Sequence, residues 1–385
     1  MSAVTTGLAS LLRLAALLLS AVTLLAVAGN AIAASYQFID LGTLGGRYSY
    51  AYGINDAGQV VGNSGGPGDL SQNATLWNGH TPIDLGTLGG SYSVALGIND
   101  SGQVAGNIHA GAYRATRWDG TNATDLGMPG DSYSYARGIN AAGQVVGERF
   151  RSGDLAYRAT RWDGATPTDL GTLGGISSTA FAINNLGQAA GYSMRPGSAT
   201  QIATRWDGTT PIDLGTLGGP SSAAYGINDA GQVIGFSNLA GSYDYHATRW
   251  DGTTPIDLGT LGGPNSVAFA INNRGQAVGF SDVVGDPRRH AVLWDGATPT
   301  DLNSFLDLAT LNAGWYLDVA KSINDNGWIV GQAINTLTGE QHAYLLSVVT
   351  TVPEPETSTL LMTGLCLMSF ARRARTPAHH PPLPS

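Results

Sequence analysis

One unit of about 44 residues recurs along most of this chain. An Asp-Leu pair marks it at Asp40, Asp84, Asp125, Asp169, Asp213, Asp257 and Asp301, at intervals of 44, 41, 44, 44, 44 and 44 residues. After each pair comes a glycine-rich stretch, then an Ile-Asn step at Ile54, Ile98, Ile139, Ile183, Ile227, Ile271 and Ile323, then a glycine three residues past the asparagine. A second glycine, at Gly62, Gly106, Gly147, Gly191, Gly235, Gly279 and Gly331, is where the next strand is expected to end. A variable stretch then leads to Ala-Thr-Arg-Trp or a variant of it. Length alone suggests two domains, but a regular period overrides that prior.

None of the apolar segments keeps a 3.6-residue period long enough for a helix, and each is bounded by Gly, Asn, Asp or Pro, so they read as strands. Four strands of about six residues, with three to five residues between them, fill one propeller blade. The expected fold is therefore all-β, a seven-bladed β-propeller, with an open β-solenoid as the alternative. In Asn55-Asp56-Ala57-Gly58 and its repeats the asparagine opens a turn and the glycine accepts positive φ. Trp77, Trp118, Trp162, Trp206, Trp250 and Trp294 share one position on the last strand, where Leu346 stands in the seventh unit, which marks them as packing residues between blades. The seventh unit also carries about eight extra residues between Asp301 and Asn324. If a blade begins at the Ile-Asn strand, the last blade lacks its Asp-Leu strand, and Tyr36 to Leu41 supplies it and closes the circle.

The ends of the chain speak to its compartment. Arg13, the apolar run Leu14 to Val27 and the small residues Asn30-Ala31-Ile32-Ala33-Ala34 read as a secretory signal peptide over residues 1–34, cut after Ala33 or one residue later. The single cysteine, Cys366, excludes an intrachain disulfide, so packing and hydrogen bonds must hold the fold. The body, residues 35–349, carries 15 basic and 26 acidic residues, a net charge of −11. Such a surface lacks the clustered basic face that nucleic acid requires.

The repeated Asp-Leu-Gly-Thr-Leu-Gly-Gly and Gly-Ile-Asn-Asp-x-Gly-Gln-Val-x-Gly, with His246-Ala247-Thr248, His290-Ala291-Val292 and His342-Ala343-Tyr344, resemble the extracellular HAF-repeat proteins. The likeness spans nearly all of residues 36–349 and implies an exported repeat protein. Residues 350–385 resemble a PEP-CTERM sorting signal: Val352-Pro353-Glu354-Pro355, an apolar stretch from Leu360 to Ala371, then Arg372, Arg373 and Arg375, with Thr376 to Ser385 as an extension that such tails usually lack. That resemblance implies an exosortase-type processing enzyme as partner and Pro353-Glu354-Pro355 as its recognition element. About twelve apolar residues are too few for a stable span, and the arginines would stay cytoplasmic, so the contact with the inner membrane is transient.

Catalysis should leave residues that break the repeat. No Walker loop or H-E-x-x-H element is present, and His80, His109, His246, His290 and His342 show no zinc-ligand spacing. His246, His290 and His342 share one column, which would gather imidazoles on one face of the ring, although successive blades set them too far apart for one metal. Asn-Asp-x-Gly supplies too few oxygens for calcium. The glycine-rich loops lie between strands and so make poor phosphate cradles. Asp282, Asp286, Asp307 and Asp318 are the non-repeated carboxylates on which a polysaccharide hydrolase or lyase would draw. The sequence thus predicts no catalytic, cofactor or metal site. It favours a surface or matrix scaffold that binds carbohydrate or protein, in contact with exopolysaccharide, through loops rich in Ser, Tyr and Gly such as Arg47–Tyr52 and Ser132–Arg137. A structural spacer that binds nothing is the remaining alternative.

Overall fold

The computed structural model describes residues 35–349 apart from Leu155, and within them lie 28 strands in seven four-stranded sheets. Blade 1 shows the pattern, running outward from the common axis: β2 (Ser49–Ile54), β3 (Val60–Gly65), β4 (Gln72–Asn78) and the short rim strand β5 (Thr81–Asp84). Strands β6 to β25 repeat it in blades 2 to 6. Blade 7 has β26 (Trp315–Ile323), β27 (Ile329–Asn335) and β28 (Gln341–Val349), and its rim strand is β1 (Ser35–Asp40), from the other end of the body. The ring is therefore closed by the strand that counting had assigned to that place, and the open solenoid is excluded.

The Asn-x-x-Gly turns form as their chemistry requires: Gly58 N–H donates to Asn55 O at 3.0 Å, with Gly58 at φ +78°. The asparagine then does more than open the turn. Asn55 Nδ2 donates to Gln59 Oε1 in its own blade and to the carbonyl of Asn99 in the next, while its Oδ1 accepts from Gln59 N–H. Asn99, Asn140, Asn184, Asn228 and Asn272 pass the same inter-blade bond along, and Asn324 returns it to Asn55 O, all at 3.0–3.1 Å. Seven side chains thus make a closed ring around one end of the axis.

Between blades, each tryptophan is fully buried against the preceding blade. Trp118 packs on Val61, Ala74 and Leu85, and Trp77 packs on Leu41, Val330 and Leu345 across the seam where the ring closes. Each ring buries roughly 200 Å². In blade 7 Leu346 takes the tryptophan's register opposite Ile329, and Tyr344, two residues earlier on the same face, supplies the missing aromatic bulk. The extra residues of the seventh unit fold as a short 3-10 turn (Leu302–Phe305) and a helix α1 (Leu308–Asn312), capped by the side chains of Asp301 and Asp307.

Two local readings need correction. The second strand of each blade does not end at its glycine; β3 passes through Gly62 to Gly65. A Cβ at Gly62 would overlap the carbonyl oxygen of Tyr50, so the glycine is there to admit the neighbouring backbone. Arg47–Tyr52 and Ser132–Arg137 are also not face loops. Most of each lies in an inner strand, β2 and β10 (Asp131–Ile139). Their Ser, Tyr and Gly composition imitates a loop because alternate residues face the axial channel instead of a core.

Replacing Asn140 by alanine removes three hydrogen bonds, to Gln144 Oε1, Gln144 N–H and Asn184 O. The expected cost is about 2–3 kcal/mol of unfolding free energy, read from the urea midpoint. Asn122→Ala, at the exposed start of the rim strand of blade 2, serves as the neutral control, and equal midpoints for the two would contradict the role of the ring.

Candidate functional site

The inner strands line the axial channel layer by layer. At one end the Ile-Asn-Asp steps of all seven blades surround a cavity of about 180 Å³. Outside the asparagines a second set of contacts runs round the mouth: Asp56 N–H donates to Asp100 Oδ1, Asp229 N–H to Asn273 Oδ1 and Asp325 N–H to Asp56 Oδ1. Burial pushes the Asp56 carboxyl up; the Asp325 N–H opposes this, and the charges of Asp100 and Asp325 add to it. This mouth is acidic, and the asparagine side chains in it are committed to protein partners.

The next layer comes from a bulge. In β2 the ladder pairs Ala51 with Gly62 and then Gly53 with Val61, so Tyr52 is the extra residue. The same skip leaves Leu96, Arg137, Phe181, Tyr225, Phe269 and Lys321 unpaired in the other six blades. A bulge re-aims its side chain, and all seven point into a cavity of about 200 Å³. Five are apolar or aromatic; Arg137 and Lys321 are cations, set in blades 3 and 7.

From this layer a larger cleft of about 640 Å³ opens over blades 1 to 4. Its walls hold six tyrosines, Tyr52, Tyr92, Tyr113, Tyr135, Tyr157 and Tyr192, with Phe181. Tyr113 and Tyr157 stand 5.1 and 6.0 Å from the Tyr135 ring. Burial raises the phenol pKa of Tyr52, Tyr92 and Tyr135, so their hydroxyls stay protonated. One carboxylate, Glu148, is among the lining residues, and Arg137 holds it through Nη2 at 2.6 Å and Nε at 3.3 Å. Burial drives the Glu148 carboxyl up and the guanidinium opposes it. Arg137 also lies 5.3 Å from the Tyr135 ring and 5.7 Å from that of Phe181.

Across the channel the charges are denser. Lys321 Nζ sits 3.7 Å over the Phe269 ring, and burial lowers its pKa to about 8, with Arg289 adding to the effect and Asp318 opposing it. Asp318 accepts from Arg289 at 3.1 Å, and Asp286 accepts from Arg288 at 2.7 Å and faces His290 Nε2 at 3.3 Å. Asp282 is cross-strand partner to Arg289 and accepts from Asn265 at 2.8 Å. Three of the four non-repeated carboxylates therefore collect around Arg288 and Arg289, while Asp307 only caps α1.

The histidine column does not gather. His246, His290 and His342 each bind, through Nδ1, the Asp of the rim strand in their own blade: Asp257, Asp301 and Asp40, at 2.7–2.9 Å. Arg117, Arg161, Arg205 and Arg249 bridge to the aspartate two residues on. The six repeated tryptophans lie in the blade seams, away from the channel. Val352, Pro353, Glu354, Pro355, Arg372, Arg373 and Arg375, like the signal peptide, fall outside the described residues. Sequence reading had Tyr52, Tyr135 and Arg137 within its tyrosine-rich segments but missed Tyr92, Tyr113, Glu148, Tyr157, Tyr192 and Lys321. The available signal was the residue two before each repeated isoleucine, which changes from unit to unit while the residue before it is always alanine and the one after it always small.

The closed ring of four-stranded antiparallel blades defines a seven-bladed β-propeller with an aromatic axial cleft. No protein-family model matches the chain, and no curated protein matches it in sequence. Similar solved structures include a gluconolactonase from Xanthomonas campestris, 11% identical with a TM-score of 0.42 over 83% of this chain and 93% of that one. The β-propeller domain of the Trilobed protease from Pyrococcus furiosus is 10% identical, TM-score 0.47, over 80% and 100%. TolB from Acinetobacter baumannii is 12% identical, TM-score 0.41, over 77% and 80%. At such identities the likeness is one of fold.

Lys321 gives the site a pH signature. Its pKa, 10.5 for an ordinary lysine and about 8 here, makes the charged amine a cost to the folded state. That cost is full below about pH 8 and falls away as pH rises towards 10.5. Lys321→Met is expected to raise the unfolding free energy by roughly 2–3 kcal/mol at neutral pH, with the gain shrinking across that window. A gain that does not change with pH in denaturant melts would refute the desolvated amine.

Proposed function

We propose that the protein is an exported saccharide-binding scaffold of the cell surface or extracellular matrix, with its ligand seated in the tyrosine cleft. The observation that carries this is the convergence of six tyrosines from four consecutive blades on one open cleft. Phenol rings stack on the C–H faces of sugars and their protonated hydroxyls bond sugar hydroxyls, at little ordering cost because each ring turns on two torsions. The volume, about 640 Å³, suits a short oligosaccharide segment. Binding is favoured over hydrolysis because the cleft lining offers one carboxylate, held by Arg137, where glycoside cleavage in its usual form employs two.

The two ends of the chain support the same reading. The signal peptide would carry the body across the inner membrane, and an exosortase-type enzyme would process the tail at Pro353-Glu354-Pro355, delivering the propeller to where exopolysaccharide lies. Alanine at Pro353, Glu354 and Pro355 together is expected to leave the precursor in the inner-membrane fraction. Unchanged release on immunoblots of cell fractions would sink that part of the proposal.

For the cleft itself, calorimetric titration of the full chain, in mild detergent, against the producer's exopolysaccharide and a glycan panel is expected to give saturable binding. Tyr135→Ala should weaken it about tenfold, or ~1.4 kcal/mol, without shifting the urea midpoint by more than the loss of one partly exposed ring. Liberation of reducing sugar in the same samples would replace the binding reading with an enzymatic one, and absence of any binding would leave the spacer.

A further inference from the structure

Lys321 is the only lysine in the chain; the other basic residues are arginines and histidines. It occupies a bulge position whose six counterparts are Tyr52, Leu96, Arg137, Phe181, Tyr225 and Phe269. Five of those show that the fold accepts an apolar residue there, so the architecture has no need of a cation. The sixth, Arg137, is neutralised by Glu148 at 2.6 Å. Lys321 has no such partner: among the described residues no carboxylate lies within 4.0 Å of it, and the nearest acid acting on it, Asp318, is already taken by Arg289. Lys321 is thus left without a carboxylate of its own, and its ammonium faces the channel beside Phe269 on one side and Tyr52, which also lines the cleft, on the other.

A charge kept at a desolvated place where an apolar residue would serve marks a functional position. The body as a whole is acidic, with a net charge of −11, and beyond about 10 Å that field is screened by salt, so one cation inside the channel governs what happens there. The other end of the channel is ringed by Asp56, Asp100, Asp229 and Asp325. An anion is therefore repelled from that mouth and admitted from the tyrosine side.

From these features we infer that the ligand of the cleft carries a carboxylate and that the ammonium of Lys321 is the group that takes it, which makes the ligand class a uronate-containing saccharide. The inference rests on the saccharide-binding reading of the cleft and adds the specificity. Sugar rings stack on the tyrosines of blades 1 to 4 while a uronate carboxylate reaches the ring of bulge residues at the floor. Arg137 does not compete for it, because Glu148 already fills its fork.

The test compares a glucuronate-containing hexasaccharide with its carboxyl-reduced counterpart, identical but neutral, on the full chain in mild detergent. The wild type is expected to bind the acidic sugar at least about tenfold more tightly than the reduced one, and Lys321→Met to bind the two within about twofold of each other. A urea midpoint for Lys321→Met no lower than that of the wild type shows that its loss of preference is not loss of fold. Reductive methylation supplies a second readout that needs no substitution: the acidic sugar should slow modification of the single ε-amine, and the reduced sugar should not. Equal affinity of the wild type for both sugars, or a preference that survives Lys321→Met, overturns the inference while leaving the binding reading intact. Failure of both sugars to bind the wild type overturns the two together.

Discussion

Seven asparagine amides hold this molecule together at its narrowest point. An amide side chain has two donor hydrogens and an acceptor oxygen, and here six of the asparagines spend one donor and the oxygen on closing their own turn and the other donor on the next blade's carbonyl, while Asn324, with Trp328 in place of the glutamine, uses its oxygen and the inter-blade donor. The bond from Asn324 to Asn55 joins residues 269 positions apart. Because the circuit returns on itself, no blade can tilt or slide outward without breaking a buried bond on each side. The fixed radius that results sets every inner strand at the same depth, and the bulge residues accordingly meet at one level of the channel.

That arrangement separates two kinds of position. Where a residue recurs in every unit, or in six of the seven as the tryptophan does, it serves the ring: the rim aspartate bonds the turn that follows it, the leucine after it is buried, and the tryptophan fills the seam. Two of the positions that differ from unit to unit face the channel, at the bulge and one step past the mid-strand glycine, as Asn107, Glu148, Tyr192 and Phe280 do. Freed from seam packing, those places have become chemically one-sided. Tyrosines gather in blades 1 to 4, and the charges of Arg288, Arg289, Asp318 and Lys321 in blades 6 and 7. A sevenfold scaffold thereby presents a cleft with no symmetry at all.

The fold was legible because it depends on the recurring residues. Spacing of Asp-Leu and Ile-Asn gave blade number, strand count and the closing role of Tyr36 to Leu41, all of which are statements about period. The cleft was less so, for a physical reason. Tyr135 and Arg137 sit in a Ser-Tyr-rich run that reads as a loop, and only the ladder skip between Ala136 and Gly138 reveals that Arg137 is expelled from a strand into the channel. Glu148 looks like any exposed acid until Arg137, eleven residues away, is brought against it by the hairpin. His246, His290 and His342 read as strand-end residues too far apart for one metal, but spacing does not show their partners, which are aspartates of the rim strand, and for His342 that aspartate is Asp40, 302 residues distant.

The seam of blade 7 also bears on how the body carries force. β28 lies between β27 and β1, so a pull along it from residue 349 loads two hydrogen-bonded ladders at once, with bonds perpendicular to the strand sharing the strain. β1 has a single neighbour, and a pull from residue 35 opposes one ladder, helped by the His342–Asp40 contact and the bond from Leu41 N–H to Ala343 O. The two ends of the body are thus mechanically unequal. Held by its carboxyl end, the propeller would resist drag as a unit, whereas tension on its amino end would peel the rim strand first and open the ring at its only seam between distant parts of the chain.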